Sequence, residues 1–211
     1  MKQLTFSAAA LVALAVLSGP AHAATQGTFS LGANFGTAMY SNSDLNDALG
    51  PDVEELSSGW EYGGSLRYQV SPRFALDLEV NRMVPSSTTE DTGNPDIEIS
   101  TPAMAIPVNA VYEISRNETH AFNIFGGAGV VTGAKFHAEQ GGLEDETDAA
   151  TSFYGQAGLE AQWMMSPQFA LGARAFGRMA KAEIEDTDID ADYSGIGFGI
   201  GARMNFGGTG E

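Results

Sequence analysis

The chain contains no cysteine, only ten lysines and arginines against 27 acidic residues, and no long apolar run beyond its first residues. Each shortage excludes something. Without cysteine there is no disulfide scaffold, zinc–thiolate site, thiol nucleophile or lipid-anchored cysteine. A formal charge of −17 argues against nucleic acid as a partner, because phosphate binding needs clustered lysine and arginine. No segment after residue 23 approaches the ~20 apolar residues of a membrane helix. A membrane is not thereby excluded, since a barrel spans it with alternating strands.

The first 23 residues read as a signal peptide. Lys2 supplies the positive start, Leu11 to Leu17 the apolar run, and Ala21-His22-Ala23 the cleavage site. Cleavage near Ala23 leaves about 190 residues, enough for one domain. It also removes Lys2, making the remainder one charge more negative.

The remainder of the chain has a hydrophobic period of two. Between Thr28 and Tyr40, Phe29, Leu31, Ala33, Phe35 and Met39 fall on one face and Ser30, Gly32, Asn34 and Gly36 on the other. Trp60, Tyr62, Leu66, Tyr68 and Val70 oppose Glu61, Arg67 and Gln69. Phe74, Leu76, Leu78 and Val80 oppose Asp77, Glu79 and Asn81. The pattern recurs over 104–114, 122–130, 153–165, 169–178 and 195–206. Pro102 and Pro107 weaken the fourth segment, and Phe125 and Val131 confuse the sides of the fifth. Such alternation suits strands standing between lipid and a polar interior.

Eight segments need seven connections. Ser71-Pro72, Ser115 to Thr119 and Ser166-Pro167 are short; roughly 41–58, 85–98, 136–150 and 183–193 are long. The expected fold is therefore all-β: an eight-stranded antiparallel transmembrane barrel with short periplasmic turns and long acidic extracellular loops. It occupies residues 24–206 and leaves a short tail, 207–211. Around two of the short turns the sequence repeats itself at an offset of 95 residues, Tyr68 to Leu76 resembling Trp163 to Leu171.

Charge is sorted by position. The four long connections carry 20 of the 27 acidic residues and no lysine or arginine, so one end of the molecule is strongly anionic. A second set falls on the inward parity: Glu61, Asp77, Glu79, Glu113 and Glu160 with Arg67, Arg174, Arg178 and Arg203. Unpaired charge in a narrow lumen is costly, and the planar guanidinium can engage two carboxylates. These nine residues are expected to pair into an electrostatic plug. A narrow cation-preferring pore is the alternative.

With a leader, amphipathic strands, Ser-Pro turns and a glycine-rich last strand ending at Phe206, the chain resembles small outer-membrane barrels of the OmpA, OmpX and OmpW type. The resemblance implies a cell outer-membrane location in a Gram-negative bacterium, with outer-membrane lipids and lipopolysaccharide as neighbours. It also implies insertion by the barrel-assembly machinery, which reads the last strand; Ile200, Ala202, Met204 and Phe206 match that signal. In the family the aromatic is usually the final residue, whereas here Gly207 to Glu211 come after it. A monomer is expected.

Enzymatic chemistry has little to build on. Some barrels of this membrane modify lipid A with a serine, a histidine and an acid. The only histidines after the leader are His120, at a periplasmic turn, and His137, at the base of the third long connection. Neither stands in a His-x-Ser pattern, and Ser152 lies near Glu139 only in sequence, so no catalysis is expected. Asp186, Asp188, Asp190 and Asp192 offer hard oxygen donors to a divalent cation. They lack the glycine and late glutamate of a calcium loop, and a hydrated acidic loop is the simpler reading. No cofactor is expected beyond weak cation binding by the loops. The favoured role is structural or interactive: envelope integrity, surface charge, or contact with external ligands.

Overall fold

A computed structural model describes residues 26–42, 45–47, 55–89, 97–140, 143–183 and 190–206. The leader and the tail after Phe206 lie outside these residues. Twelve strands are present among the described residues. Eight build the wall: β1 (Phe29–Tyr40), β2 (Ser58–Ser71), β3 (Phe74–Thr89), β5 (Ala103–Arg116), β6 (His120–Thr132), β9 (Ser152–Met164), β10 (Phe169–Glu183) and β12 (Gly195–Phe206). Each pairs antiparallel with its neighbours, and β12 returns to β1, Phe29 opposite Phe206 and Tyr40 opposite Gly195, so the barrel closes. Closure leaves the wall without a free edge, the condition for crossing a lipid bilayer with strands.

The alternation decides which side chains face lipid. Leu31, Trp60, Leu159 and Ile200 are more than 40% exposed on the outer wall, while Asp77, Glu79 and Asn109 are buried inside. Aromatics gather at both rims. Phe29, Tyr68, Tyr112, Phe122, Trp163 and Phe206 lie near the short turns; Phe35, Trp60, Tyr62 and Phe153 lie toward the other end. Rings prefer these two interfaces of a membrane.

Local irregularities arise from sequence. Pro107 lacks an N–H, and the ladder between β3 and β5 is interrupted there, resuming at Asn81 opposite Ala105. β5 is nonetheless a continuous strand of 14 residues, stronger than its prolines suggest. Gly195 adopts φ +155, and a Cβ there would collide with the Met39 carbonyl oxygen. A Cβ on Gly197 would collide with the Phe176 ring. The room made by that glycine therefore receives an inward phenylalanine.

The long connections are more structured than their composition suggests. β3 runs on to Thr89 and pairs with β4 (Ile97–Ser100); β4 pairs with β7 (Lys135–Gln140), and β7 with β8 (Leu143–Asp148). β10 runs on to Glu183 and pairs with β11 (Asp190–Asp192). Strands thus project beyond the barrel on the side of the long connections and form a crown.

Candidate functional site: the lumen and the crown

The lumen is crossed by ion pairs at three depths. Nearest the short turns, Arg67 Nε and Nη2 donate to Asp77 Oδ2 at 2.9 and 2.7 Å, and Nη1 and Nη2 donate to Glu160 at 2.9 and 3.1 Å. Arg203 Nη2 reaches the same Asp77 oxygen at 3.1 Å and also donates to Ser65. Asn123 and Gln162 donate to Glu160 Oε1. At mid-depth Arg174 engages both oxygens of Glu79 at 3.1 Å, with Asn81 donating to Glu79 at 2.8 Å. Toward the crown, Arg178 pairs with Glu61, which also accepts the Tyr40 hydroxyl at 2.9 Å.

These bonds span the barrel. In the order β1, β2, β3, β5, β6, β9, β10, β12, strand β2 stands diametrically opposite β9, and β3 opposite β10. Arg67 to Glu160 and Arg174 to Glu79 therefore bridge the full diameter. The 95-residue echo explains one of them. The β2–β3 and β9–β10 hairpins are the two echoing units and face each other, so positions 95 apart share a depth. Glu79 meets Arg174 at that separation, and Met83 meets Arg178.

Four arginines and four carboxylates balance within this ladder. Glu113 does not join it. The β5–β6 register shifts between Glu113 and Ser115, and Glu113 pairs with Arg116 three residues on, at 2.5 Å, beside a short turn. Two phenylalanines that break the alternation complete the interior: Arg174 lies 4.8 Å from the Phe176 ring centre and 5.4 Å from that of Phe125. A guanidinium over a ring gains electrostatic attraction while its edge bonds carboxylates. A cavity of about 40 Å³, lined in part by Gly32, Ser65, Glu160, Arg174 and Arg203, remains on one side of the ladder. That is room for a few water molecules.

Above the ladder the mouth is filled by apolar side chains. Tyr40, Leu45, Met83, Val131, Tyr154 and Tyr193 form a buried cluster against which Phe136 packs. Burial pushes the pKa of the Tyr193 hydroxyl upward, so the ring sits in the cap as a neutral group. Asn42 clips the crown together: its amide nitrogen donates to Leu56 O at 2.9 Å and its oxygen accepts the Asp192 N–H at 2.9 Å. The first and fourth long connections are tied by this single buried side chain.

The other sequence-nominated residues are spread out. Asp190 and Asp192 both approach Lys181, at 3.7 and 3.6 Å, and Asp192 accepts the Ser194 N–H. Asp186 and Asp188 lie outside the described residues. His120 meets Thr119 Oγ1 at 2.7 Å beside a short turn, His137 lies in β7, and Ser152 donates to the Lys181 carbonyl at the crown end. Among the described residues no hydrogen bond joins Ser152 to either histidine. In the last strand Ile200 and Phe206 face outward, as does Ala202, while Met204, opposite Leu31 and Phe169, is buried. Tyr40, Phe125, Phe176 and Asn42 were not evident from sequence as interior partners. Only the phenylalanines left a signal, as apolar residues on a polar parity.

The outer membrane protein beta-barrel domain matches residues 9–206. The chain belongs to this family. No curated protein matches it. Among solved structures, this outer-membrane barrel is similar to Neisserial surface protein A (14% identity, 86% of this chain and all of that one, TM-score 0.54). It is similar to Ail, the attachment invasion locus protein of Yersinia pestis (16%, 86% and 100%, TM-score 0.52). It is also similar to outer membrane protein OprG of Pseudomonas aeruginosa (15%, 87% and 98%, TM-score 0.52). At such identities the likeness is one of fold.

Proposed function

We propose that this barrel is a non-conducting, non-catalytic anchor that presents its crown as an interaction surface on the bacterial envelope. The observation carrying this reading is the double closure of the lumen: ion pairs across its diameter at successive depths, and a buried apolar cap above them. An eight-stranded wall encloses a space that side chains can fill, and here they do so with bonded ones. A barrel closed in this way has its accessible chemistry at its ends. The four long connections on the crown side carry 20 acidic residues in the sequence, and the crown's lysines are Lys135, in β7, and Lys181, beside Asp190 and Asp192.

The charge indicates which partners suit it. Ail has been solved in complex with a heparin analogue, sucrose octasulfate. A crown of this composition repels such a polyanion and favours cationic surfaces. The test uses the protein in zwitterionic nanodiscs at physiological salt, with heparin and poly-lysine as probes. Poly-lysine is expected to bind and heparin not to. Binding should fall at least tenfold when six crown carboxylates become amides. Heparin binding, or poly-lysine binding indifferent to those six substitutions, would overturn the reading.

A further inference from the structure

β3 carries an arginine on its lipid-facing parity. Leu76, Leu78 and Val80 are exposed on the outer wall, and Asn81 and Met83 are buried inside. Arg82 stands between the two buried residues on the outward side, half-buried. Its neighbours across the ladders are Tyr62 on β2 and Met104 on β5. Among the described residues no hydrogen bond or ion pair holds it. The nearby acids do not serve it, since Glu61 and Glu79 are buried inside the barrel and pair with Arg178 and Arg174. The other arginines lie in the lumen or at the short turns, and the lysines after the leader belong to the crown.

The position of Arg82 decides what can pair with it. Tyr62 stands opposite Phe35, and Phe35 stacks on Trp60 with ring centres 5.3 Å apart. These rings form the aromatic rim on the crown side, the level at which a bilayer's headgroups begin. The crown sheet starts at Ser86, farther along β3 by about 13 Å. Arg82 is thus rooted just inside the bilayer, and a long basic side chain so placed extends its charge to the headgroups. An unpaired guanidinium at that boundary is costly. With no carboxylate of the described protein beside it, the anion comes from the lipid. The planar fork of arginine grips two phosphate oxygens at once, and the exposed Tyr62 brings a hydroxyl able to donate one bond more. We propose that Arg82 and Tyr62 hold the phosphate of one lipid headgroup against β2, β3 and β5. The acidic connections above disfavour anions elsewhere around the mouth, so the lipid is held singly at this seam.

The test uses the mature protein carrying Trp163→Phe in phosphatidylcholine bilayers, which leaves Trp60 as its tryptophan. A few per cent of the lipid is brominated in its chains, as phosphatidic acid or as phosphatidylcholine, and quenching of Trp60 is read. Brominated phosphatidic acid should quench about threefold more than brominated phosphatidylcholine at the same fraction. Arg82→Gln should bring the two lipids level. Arg82→Lys should keep part of the preference, and Tyr62→Phe should reduce it about twofold. Lys181→Ala, on the crown side but in its own acidic pairs, should leave it unchanged. Inorganic phosphate at about 10 mM should not compete, because the bilayer holds the lipid phosphate at a far higher local concentration. Equal quenching by the two lipids would overturn the proposal. So would a preference that survives Arg82→Gln, or one that Lys181→Ala abolishes as fully, since basic residues at large would then be responsible. Loss of the preference in inorganic phosphate would overturn the lipid assignment and leave a site for the free anion. If Arg82→Gln does not refold, Arg82→Lys and Tyr62→Phe decide, and a preference unchanged in both would overturn the proposal.

Discussion

The lumen and the mouth of this barrel are closed by opposite chemistry. In the lumen, polar and charged groups are buried and bonded to one another, with Arg67 bonded to two carboxylates and Asp77 to two arginines. Among the described residues, Asp77 Oδ1, Asn109 Nδ2 and Arg178 Nε are left without a hydrogen-bond partner. At the mouth, Leu45, Met83, Val131 and Tyr193 are buried in apolar contact, with Asn42 as a polar clip. The difference teaches where each kind of closure can exist. A barrel interior is formed from strand faces turned away from lipid, so its polar parity must be filled inside. The crown stands in water, where the hydrophobic effect can hold connections together as it does in any globular core.

The comparison also separates global from local stability, and substitutions should divide accordingly. The largest effect is expected from Arg67→Met, which leaves Asp77 and Glu160 buried with one arginine fewer. Urea unfolding of the refolded protein in micelles should show a loss of about 3–5 kcal/mol. A loss well below 1 kcal/mol would mean that water already reaches these carboxylates. Next come the partners across the diameter. Glu79→Leu and Arg174→Met should each destabilise by about 3 kcal/mol or more, while the double variant recovers much of that loss. Simple additivity in the same titration would break the description of a coupled pair.

The mouth should behave differently. Leu45→Ala opens a hole in the cap worth about 2–3 kcal/mol, yet the barrel's urea midpoint should hardly move. The change should appear as faster amide exchange at Asp192, whose N–H is held by Asn42. A shift of the whole unfolding transition would show that crown and barrel fold as one unit. The smallest effect is expected from Lys181→Ala, because the lysine side chain is half exposed and its distances to Asp190 and Asp192, 3.7 and 3.6 Å, are long. A thermal melt should place it within about 0.5 kcal/mol of wild type.

Much of the barrel is legible in the sequence because a period of two is a local signal. Leu31, Trp60, Leu78 and Ile200 declare their face by their neighbours' parity alone. The inward charges are legible for the same reason, but not their partners. Arg67 finds Glu160 after 93 residues and Arg203 finds Asp77 after 126, separations that only barrel closure fixes. Glu113 shows the reverse failure: parity assigns it to the ladder, and a bulge beside Arg116 diverts it to a local pair. The crown is the least legible part. Stretches rich in aspartate and glutamate read as hydrated loops, whereas β4, β7 and β8 form a sheet there. The Asn42–Asp192 clip joins residues 150 apart. The 95-residue echo carries more than a repeated turn, since two opposed hairpins set Glu79 against Arg174.

The central claim is that the lumen is closed, and single-channel recording in planar bilayers tests it most directly. Refolded protein verified by its barrel circular dichroism should give a silent bilayer. A variant lacking the lumen arginines Arg67, Arg174 and Arg178 should give ion leakage if it still folds. Steady, cation-selective openings of the wild-type protein would contradict the account and return the narrow channel to first place.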